Sequence, residues 1–241
     1  MRTRIMLRVI GLAAFFCAAG NAFPKRGNKV DPQLSPLMTA AARNDLRGVQ
    51  KLLMHGADVR QRTTQGETAL YEAIEWRDTR SNNLPVVDAL LKAGADPNER
   101  EVYAMSALEV SLTRDHHNPA VTLRLLQAGA IVPHDCGEGD SLVSLATQDS
   151  GVEVMQALIE RGAPVNCQFR GESALYWAAV NGEADKVRLL LQSGADPTIR
   201  FDGKTIVNVA TSTNPDRRVQ ERFEQTRTLL QEALGTISLS K

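Results

Sequence analysis

Apolar residues recur along this chain with the spacing of short amphipathic helices that come in pairs. Leu175, Ala178 and Ala179 fall at positions i, i+3 and i+4, which places them on one face of a helix. Val187 and Leu190 begin the same spacing a few residues later. Because alanine is small, the first of these helices can approach its neighbours closely. The pattern predicts two helices packed through an aliphatic face.

Polar residues mark the outer faces and the ends of these predicted helices. Asp185 and Lys186 lie between the apolar positions, and we expect them to face water. Thr68 and Ser173 stand just before apolar runs, where a side-chain oxygen can accept from a free backbone N–H. Gly194 follows the last apolar turn, so it is expected to end the helix in a left-handed conformation.

Two phrases recur along the chain in a fixed order. The first contains a small hydroxyl residue, alanine and leucine, as in residues 66–70 and 171–175. The second closes each predicted pair with Gly-Ala, and its glycines are Gly56, Gly94, Gly129, Gly162 and Gly194. Recurrence at such a period indicates stacked repeats, since no single pair of helices could bury its apolar face alone.

These phrases resemble the ankyrin repeat, whose period is about 33 residues and whose signature is Thr-Pro-Leu-His-x-Ala. The resemblance covers residues 34–235 and implies an all-α solenoid of about six helix-turn-helix repeats with short β-hairpin-like fingers. Here Ala69 and Ala174 replace the signature proline, and such changes are expected to weaken hydrogen bonds at the helix starts. We number the repeats one to six as residues 34–60, 61–98, 99–133, 134–166, 167–199 and 200–235, leaving 236–241 as a C-terminal tail.

The N-terminal residues have the layout of a secretory signal. Arg2 and two further arginines precede an apolar run over residues 9–19, and small residues lead to a cleavage position after Ala22. The run is shorter than the roughly 20 residues that span a bilayer. We therefore predict a signal peptide at 1–22, a linker at 23–33, and a periplasmic or secreted protein without stable membrane insertion. An uncleaved anchor is the alternative.

Charge and composition argue against several functions. The chain has 28 basic and 28 acidic side chains, so no strong field favours nucleic acid as a partner. It lacks a phosphate-binding glycine loop, a nucleophile elbow and a paired-histidine zinc motif, so neither catalysis nor a cofactor is expected. Glu72 and Glu75 are expected on a solvated helix face. His134 and its neighbour Asp135 lack a second pair of ligands, so no metal site is predicted.

The resemblance implies that the function is to bind a protein. Ankyrin-like proteins hold partners on a concave face and on their fingers, and the large and charged residues expected there are Arg62, Glu75, Trp76, Tyr103, Arg114, Phe169, Arg170 and Phe201. Trp177 is expected to be partly buried between repeats, among alanines, instead. We expect a monomer that regulates or neutralises another exported protein, as an immunity or accessory protein. The alternatives are a secreted effector that engages host proteins and an accessory factor for a periplasmic stress-defence enzyme.

The predicted mature chain keeps two cysteines, Cys136 and Cys167, near the tips of adjacent fingers. Export would allow a disulfide, which requires Cα atoms about 4.4–6.8 Å apart. The fifth finger is one residue shorter than the fourth, an offset that could keep the sulfurs apart. Two independent thiols, or a metal shared with His134, are the alternatives at this point.

Overall fold

The computed structural model describes residues 34–64, 66–75, 82–99, 105–113, 118–136, 141–169, 172–211 and 216–239. The predicted signal peptide and linker, residues 1–33, lie outside the described residues.

The described part of the chain contains twelve helices, two in each predicted repeat. They are α1 (Pro36–Ala42), α2 (Leu46–Met54), α3 (Ala69–Ile74), α4 (Leu84–Lys92), α5 (Ala107–Ser111), α6 (Pro119–Gln127), α7 (Leu142–Asp149), α8 (Val152–Glu160), α9 (Ala174–Val180), α10 (Ala184–Gln192), α11 (Ile206–Val209) and α12 (Arg217–Leu239). Two antiparallel hairpins join repeats at the predicted fingers: β1 (Gln168–Phe169) with β2 (Glu172–Ser173), and β3 (Arg200–Phe201) with β4 (Lys204–Thr205). This confirms the predicted all-α ankyrin-repeat solenoid.

The chain divides into two compact parts, residues 1–76 with 85–107 and residues 77–84 with 108–241. In the first part, α1 packs against its partner α2 and against α3, the first helix of the next repeat. In the second part, α7, α9 and α11 pack in sequence as first helices, and α6, α8, α10 and α12 pack in sequence as second helices. Within each part, neighbouring repeats thus bury their apolar faces against one another, as the periodicity predicted.

Hydroxyl side chains cap most of the first helices. Ser35, Thr68, Ser141 and Ser173 each accept a hydrogen bond from the backbone N–H three residues later, at 3.1–3.2 Å. The predicted caps at Thr68 and Ser173 are therefore confirmed. Thr205 makes no such side-chain bond, and the helix that follows it has only four residues. The weakening expected from Ala69 and Ala174 is not seen, because the caps of α3 and α9 both form.

The recurring Gly-Ala phrase closes the second helices through one shared arrangement. At Gly194 the backbone φ is +86°, its N–H donates to Leu191 O at 3.1 Å, and the Ala195 N–H donates to Leu190 O at 2.9 Å. This is the Schellman arrangement, which suits glycine because a Cβ disfavours positive φ. Equivalent bonds and φ values of +80° to +92° occur at Gly56, Gly94, Gly129 and Gly162.

The buried residues follow the apolar pattern, except that two charged residues expected to face water are also buried. Leu175, Ala178 and Ala179 are at most 1% exposed, as predicted. Lys186 was expected to face water but is only 8% exposed. Glu72, expected on a solvated face, is 5% exposed. Both expectations were wrong because a helix in a stack has a neighbour on each side, so positions beside its apolar face are covered as well.

The buried Lys186 connects repeats four and five. Its Nζ donates to Thr147 O at 2.7 Å and to Glu183 Oε1 at 3.0 Å. Thr147 lies in the last turn of α7, where carbonyl groups lack helical partners and favour a positive charge. The aliphatic stem of the lysine is buried while its ammonium group reaches this helix end.

The last helix packs against repeat five and runs beyond the predicted boundary at 235. Arg222 Nη2 donates to Asn181 O at 2.8 Å, and a Cβ on Gly182 would lie 2.8 Å from the Phe223 ring. The predicted tail is helical as far as Leu239, since the sequence after residue 235 contains no closing Gly-Ala phrase. No helix in the described ranges has both the length and the apolar character needed to cross a membrane.

Candidate functional site

Three half-exposed aromatic side chains meet where repeat five joins repeat six. Tyr176, Trp177 and Phe201 form this group, which we call the aromatic patch. The Tyr176 ring centroid lies 4.5 Å from that of Phe201 and 5.5 Å from that of Trp177, which it meets edge to face at 78°. These separations are typical of attractive aromatic contacts, so the rings support one another and form a continuous surface.

Two local structures fix the rings of the patch. Ser173 Oγ accepts from the Tyr176 N–H at 3.2 Å and so sets the start of α9. In the next finger, Phe201 ends β3 just before a turn in which Asp202 and Gly203 have φ values of +48° and +74°. Positive φ at both turn residues gives a hairpin whose twist matches its strands. The hairpin thus holds Phe201 against Tyr176.

Polar groups surround the patch. Burial, and secondarily the negative charge of Glu172, raise the pKa of Tyr176 above its usual 10.0. The phenol therefore stays neutral at physiological pH and keeps its hydrogen-bond donor. Lys204 is exposed and pairs across the hairpin with Phe201. An apolar ring surface with a polar rim is the arrangement that protein interfaces use at their most important contacts.

Of the predicted contact residues, Phe201 lies in the patch and Phe169 lies in β1, paired with Glu172. Four others fall outside the described residues: Trp76, Tyr103, Arg114 and Arg170. Among the described residues, Phe201 is therefore the one predicted contact residue that lies in the patch. The rest of the predicted surface stays a prediction.

Arg62 and Glu75 lie in repeat two, in the first compact part. Arg62 Nη2 is 2.8 Å from Glu99 Oε1, and its side chain is 46% exposed. This ion pair links the fingers of repeats two and three and leaves part of the guanidinium open to solvent. Glu75 follows α3 directly and is half-exposed. Both side chains are accessible to a partner.

Two patch residues were missed by the sequence reasoning. Tyr176 stands where the repeat signature has histidine and was not among the predicted contact residues, and Trp177 was expected to be partly buried between repeats rather than to contact a partner. That expectation is confirmed, since Trp177 is neither fully buried nor fully exposed, and the part that stays exposed lies in the patch. Its position carried the signal, because two residues beyond Leu175 is about 200° around the helix, away from the buried face.

The two cysteines are joined between the fourth and fifth fingers. Cys136 and Cys167 form a disulfide with their Cα atoms 5.3 Å apart. Cys136 is exposed, whereas Cys167 is 3% exposed and stands immediately before β1. His134 does not join them, since its Nδ1 lies 3.2 Å from Gly162 O. Within the described residues, no three His, Cys, Asp or Glu side chains come together in a way that could hold a metal ion.

Comparison with known proteins places these features in a family. A family model described as ankyrin repeats in three copies matches residues 13–101 and 111–201. The ankyrin repeat domain-containing protein SAT10 of Stachybotrys chartarum is 32% identical over 164 residues, which are 68% of this chain and 8% of that protein. The chain thus corresponds to a small part of that relative's length.

Solved structures agree in fold. An ankyrin repeat domain from Acinetobacter baumannii superposes with a TM-score of 0.63 at 28% identity, covering 82% of this chain and 97% of the other. A chain from the Bdellovibrio bacteriovorus complex of a predatory endopeptidase with its immunity protein gives a TM-score of 0.59 at 24% identity, covering 83% and 98%, a likeness of fold alone. With the family model matching most of the chain and the helices stacking repeat on repeat, this protein belongs to the ankyrin-repeat family.

Proposed function

We propose that this chain is a non-catalytic, exported protein-binding module that regulates or neutralises another exported protein, as an immunity or accessory protein. Ankyrin repeats form protein–protein interaction modules, and this coarser statement follows from the family. The finer proposal adds a place of contact, the aromatic patch with the neighbouring fingers, and a compartment outside the cytoplasm.

The observation that carries the proposal is the partial exposure of three adjoining rings. Six aromatic residues lie in the described ranges, and Tyr176, Trp177 and Phe201 are the three that are grouped; Tyr71 in repeat two is also partly exposed. Of the others, Phe223 is 7% exposed and packs against a turn of repeat five. In a stacked array, rings could be buried between helices, so their grouping at the surface favours a role in recognition.

Truncating one ring of the patch should weaken binding without unfolding the array. We expect Trp177→Ala to weaken partner binding about thirtyfold, which corresponds to roughly 2 kcal/mol, while the melting temperature changes little. Met54→Ala is the matched control, because Met54 is an apolar side chain that is 79% exposed on repeat one.

The assay captures partners on the immobilised mature protein from an extract of the native exporting compartment, and then measures affinity for the purified partner by calorimetry. Equal affinities for wild type, Trp177→Ala and Met54→Ala would show that the patch is not the binding site. Light scattering of the free protein tests the expected monomer.

Export rests on the arginine-led apolar segment before Phe23. N-terminal sequencing of protein from fractionated native cells should give a chain that begins near Phe23 and lies outside the cytoplasm. An intact Met1 in the cytoplasmic fraction would contradict the export proposal and leave the binding proposal standing. The identity of the captured partner separates the roles: a toxin indicates immunity, a stress-defence enzyme an accessory role, and a host protein an effector.

A further inference from the structure

We propose that the Cys136–Cys167 disulfide is a thiol–disulfide exchange site, opened by attack of a thiol on Cys136, and that its state controls how firmly the fifth finger presents the aromatic patch. The second half of this inference rests on the proposed function, because it concerns the surface offered to a partner.

The two cysteine residues differ in exposure. Cys136 is exposed near the end of the fourth finger, whereas Cys167 is 3% exposed. An incoming thiolate must reach a sulfur along the axis of the S–S bond, so the accessible residue decides which sulfur is attacked. The mixed disulfide should therefore form on Cys136, with Cys167 as the leaving thiolate.

The exchange is balanced with a dithiol as the reductant. The first thiolate forms a bond to Cys136 Sγ, the S–S bond breaks, and its electron pair goes to Cys167 Sγ, which takes a proton. The second thiol of the reductant then attacks the mixed disulfide and releases Cys136 as a thiolate, which takes the other proton. The dithiol leaves as a cyclic disulfide, and the protein holds two thiols.

A short path of strand pairing and hydrogen bonding leads from this disulfide to the patch. Cys167 directly precedes β1, in which Gln168 pairs with Ser173 of β2. Ser173 in turn caps α9 through the Tyr176 N–H at 3.2 Å. Opening the disulfide frees the start of the strand that pairs with this cap residue, so the local order of the first turn of α9 should fall.

Other contacts hold the fingers in the reduced state, so reduction should loosen this region without unfolding it. Asn166 Nδ2 donates to Gly194 O at 2.8 Å, and its Oδ1 accepts from the Asp196 N–H at 2.8 Å. His134 Nδ1 lies 3.2 Å from Gly162 O. None of these bonds involves a sulfur, and all of them remain when the disulfide opens.

Trapping with a monothiol tests the chemistry without a partner. The folded mature protein is incubated with glutathione, quenched in acid, digested and mapped by mass spectrometry. We expect the glutathione adduct on Cys136 and a free thiol at Cys167. Adducts on Cys167, or no adduct unless the protein is first unfolded, would overturn the exchange proposal.

Hydrogen exchange tests the coupling to the patch. Reduction should speed exchange of the amides in residues 168–177 about tenfold, with little change in α12. Cys136→Ser should exchange like the reduced protein and should not respond further to the reductant. Equal exchange rates in residues 168–177 for the oxidised, reduced and Cys136→Ser proteins would overturn the coupling.

The final arm measures affinity for the captured partner. Reduced wild type and Cys136→Ser should bind about tenfold more weakly than oxidised wild type, because a less ordered site loses more entropy on binding. If the exchange rates change but affinity does not, control of binding is overturned. If Trp177→Ala also binds normally, it is the proposed function that fails, and the trapping result still stands.

Discussion

The buried Lys186 gives a quantitative prediction about what holds repeats four and five together. In Lys186→Met the apolar stem is largely kept and the ammonium group is lost. Thr147 O, on a residue that is 0% exposed, then loses the donor that lies 2.7 Å away. Glu183 loses its counter-charge at 3.0 Å, and its other carboxylate oxygen is already buried without a hydrogen bond.

The cost follows from these two losses. A hydrogen bond to a charged group contributes about 1.5–3 kcal/mol, and an acceptor left buried without a partner costs a similar amount. The Glu183 side chain is 29% exposed, so water offsets much of its loss. We therefore expect Lys186→Met to lower the free energy of unfolding by about 2–3 kcal/mol. The double variant Lys186→Met with Glu183→Gln should recover part of this lost free energy of unfolding, because it leaves no carboxylate without its counter-charge.

Lys92→Met is the matched control. Its ammonium group also pairs with an acidic side chain of the same helix, Asp88, at 2.6 Å, but the Lys92 side chain is 70% exposed. Exposed helical ion pairs contribute about 0.5 kcal/mol or less. Urea unfolding followed by circular dichroism gives both free energies, and hydrogen exchange shows whether the loss is local to repeats four and five. If the two variants differ by less than about 0.5 kcal/mol, the reasoning from burial is refuted.

Two further predictions concern a glycine and a tyrosine. Gly162→Ala should destabilise more than Gly194→Ala in urea unfolding, because a Cβ at 162 would lie 2.5 Å from His134 Nδ1 while one at 194 would meet nothing within 4 Å; equal losses would count against this packing argument. The raised pKa of Tyr176 means that the folded protein favours the neutral phenol, so this contribution to stability is full below about pH 10 and is lost as pH rises through the folded pKa. Ultraviolet titration against Tyr176→Phe measures this pKa, which Glu172→Gln should lower; an unperturbed titration would contradict the assigned burial.

The helix caps, the closing turns and the buried helix faces could be predicted from the sequence because they depend on residues that are close together in the chain. A cap such as Ser173 and a closing glycine such as Gly194 act on backbone groups within a few residues, so the residue type reveals the role. The spacing of Leu175 and Ala178 was enough to predict which face of the helix is buried. Predicting these features does not require knowing which repeat packs against the helix.

Features that depend on a neighbouring repeat were harder to predict. Lys186 was expected in water because nothing near it in the chain shows that the end of α7 lies within reach of its ammonium group. Glu72 was expected on a solvated face for the same reason. Phe201 was recognised as a finger residue, but its contact with Tyr176 joins two repeats and has no counterpart in local spacing. Trp177 is different, since its position two residues after Leu175 depends on local spacing alone, and its partial burial was predicted from the sequence.

The closing turns make a repeat a unit that can be inserted or removed as a whole. The bonds that end α10 run from the Gly194 and Ala195 N–H groups to the carbonyls of Leu191 and Leu190, so this turn is formed within the Gly-Ala phrase and the helix before it. Whole repeats can therefore be duplicated or deleted at such junctions, and the helix end will form again at the splice. Repeats four and five are the exception, because the disulfide between Cys136 and Cys167 joins them. These two repeats would have to be duplicated or deleted as a pair.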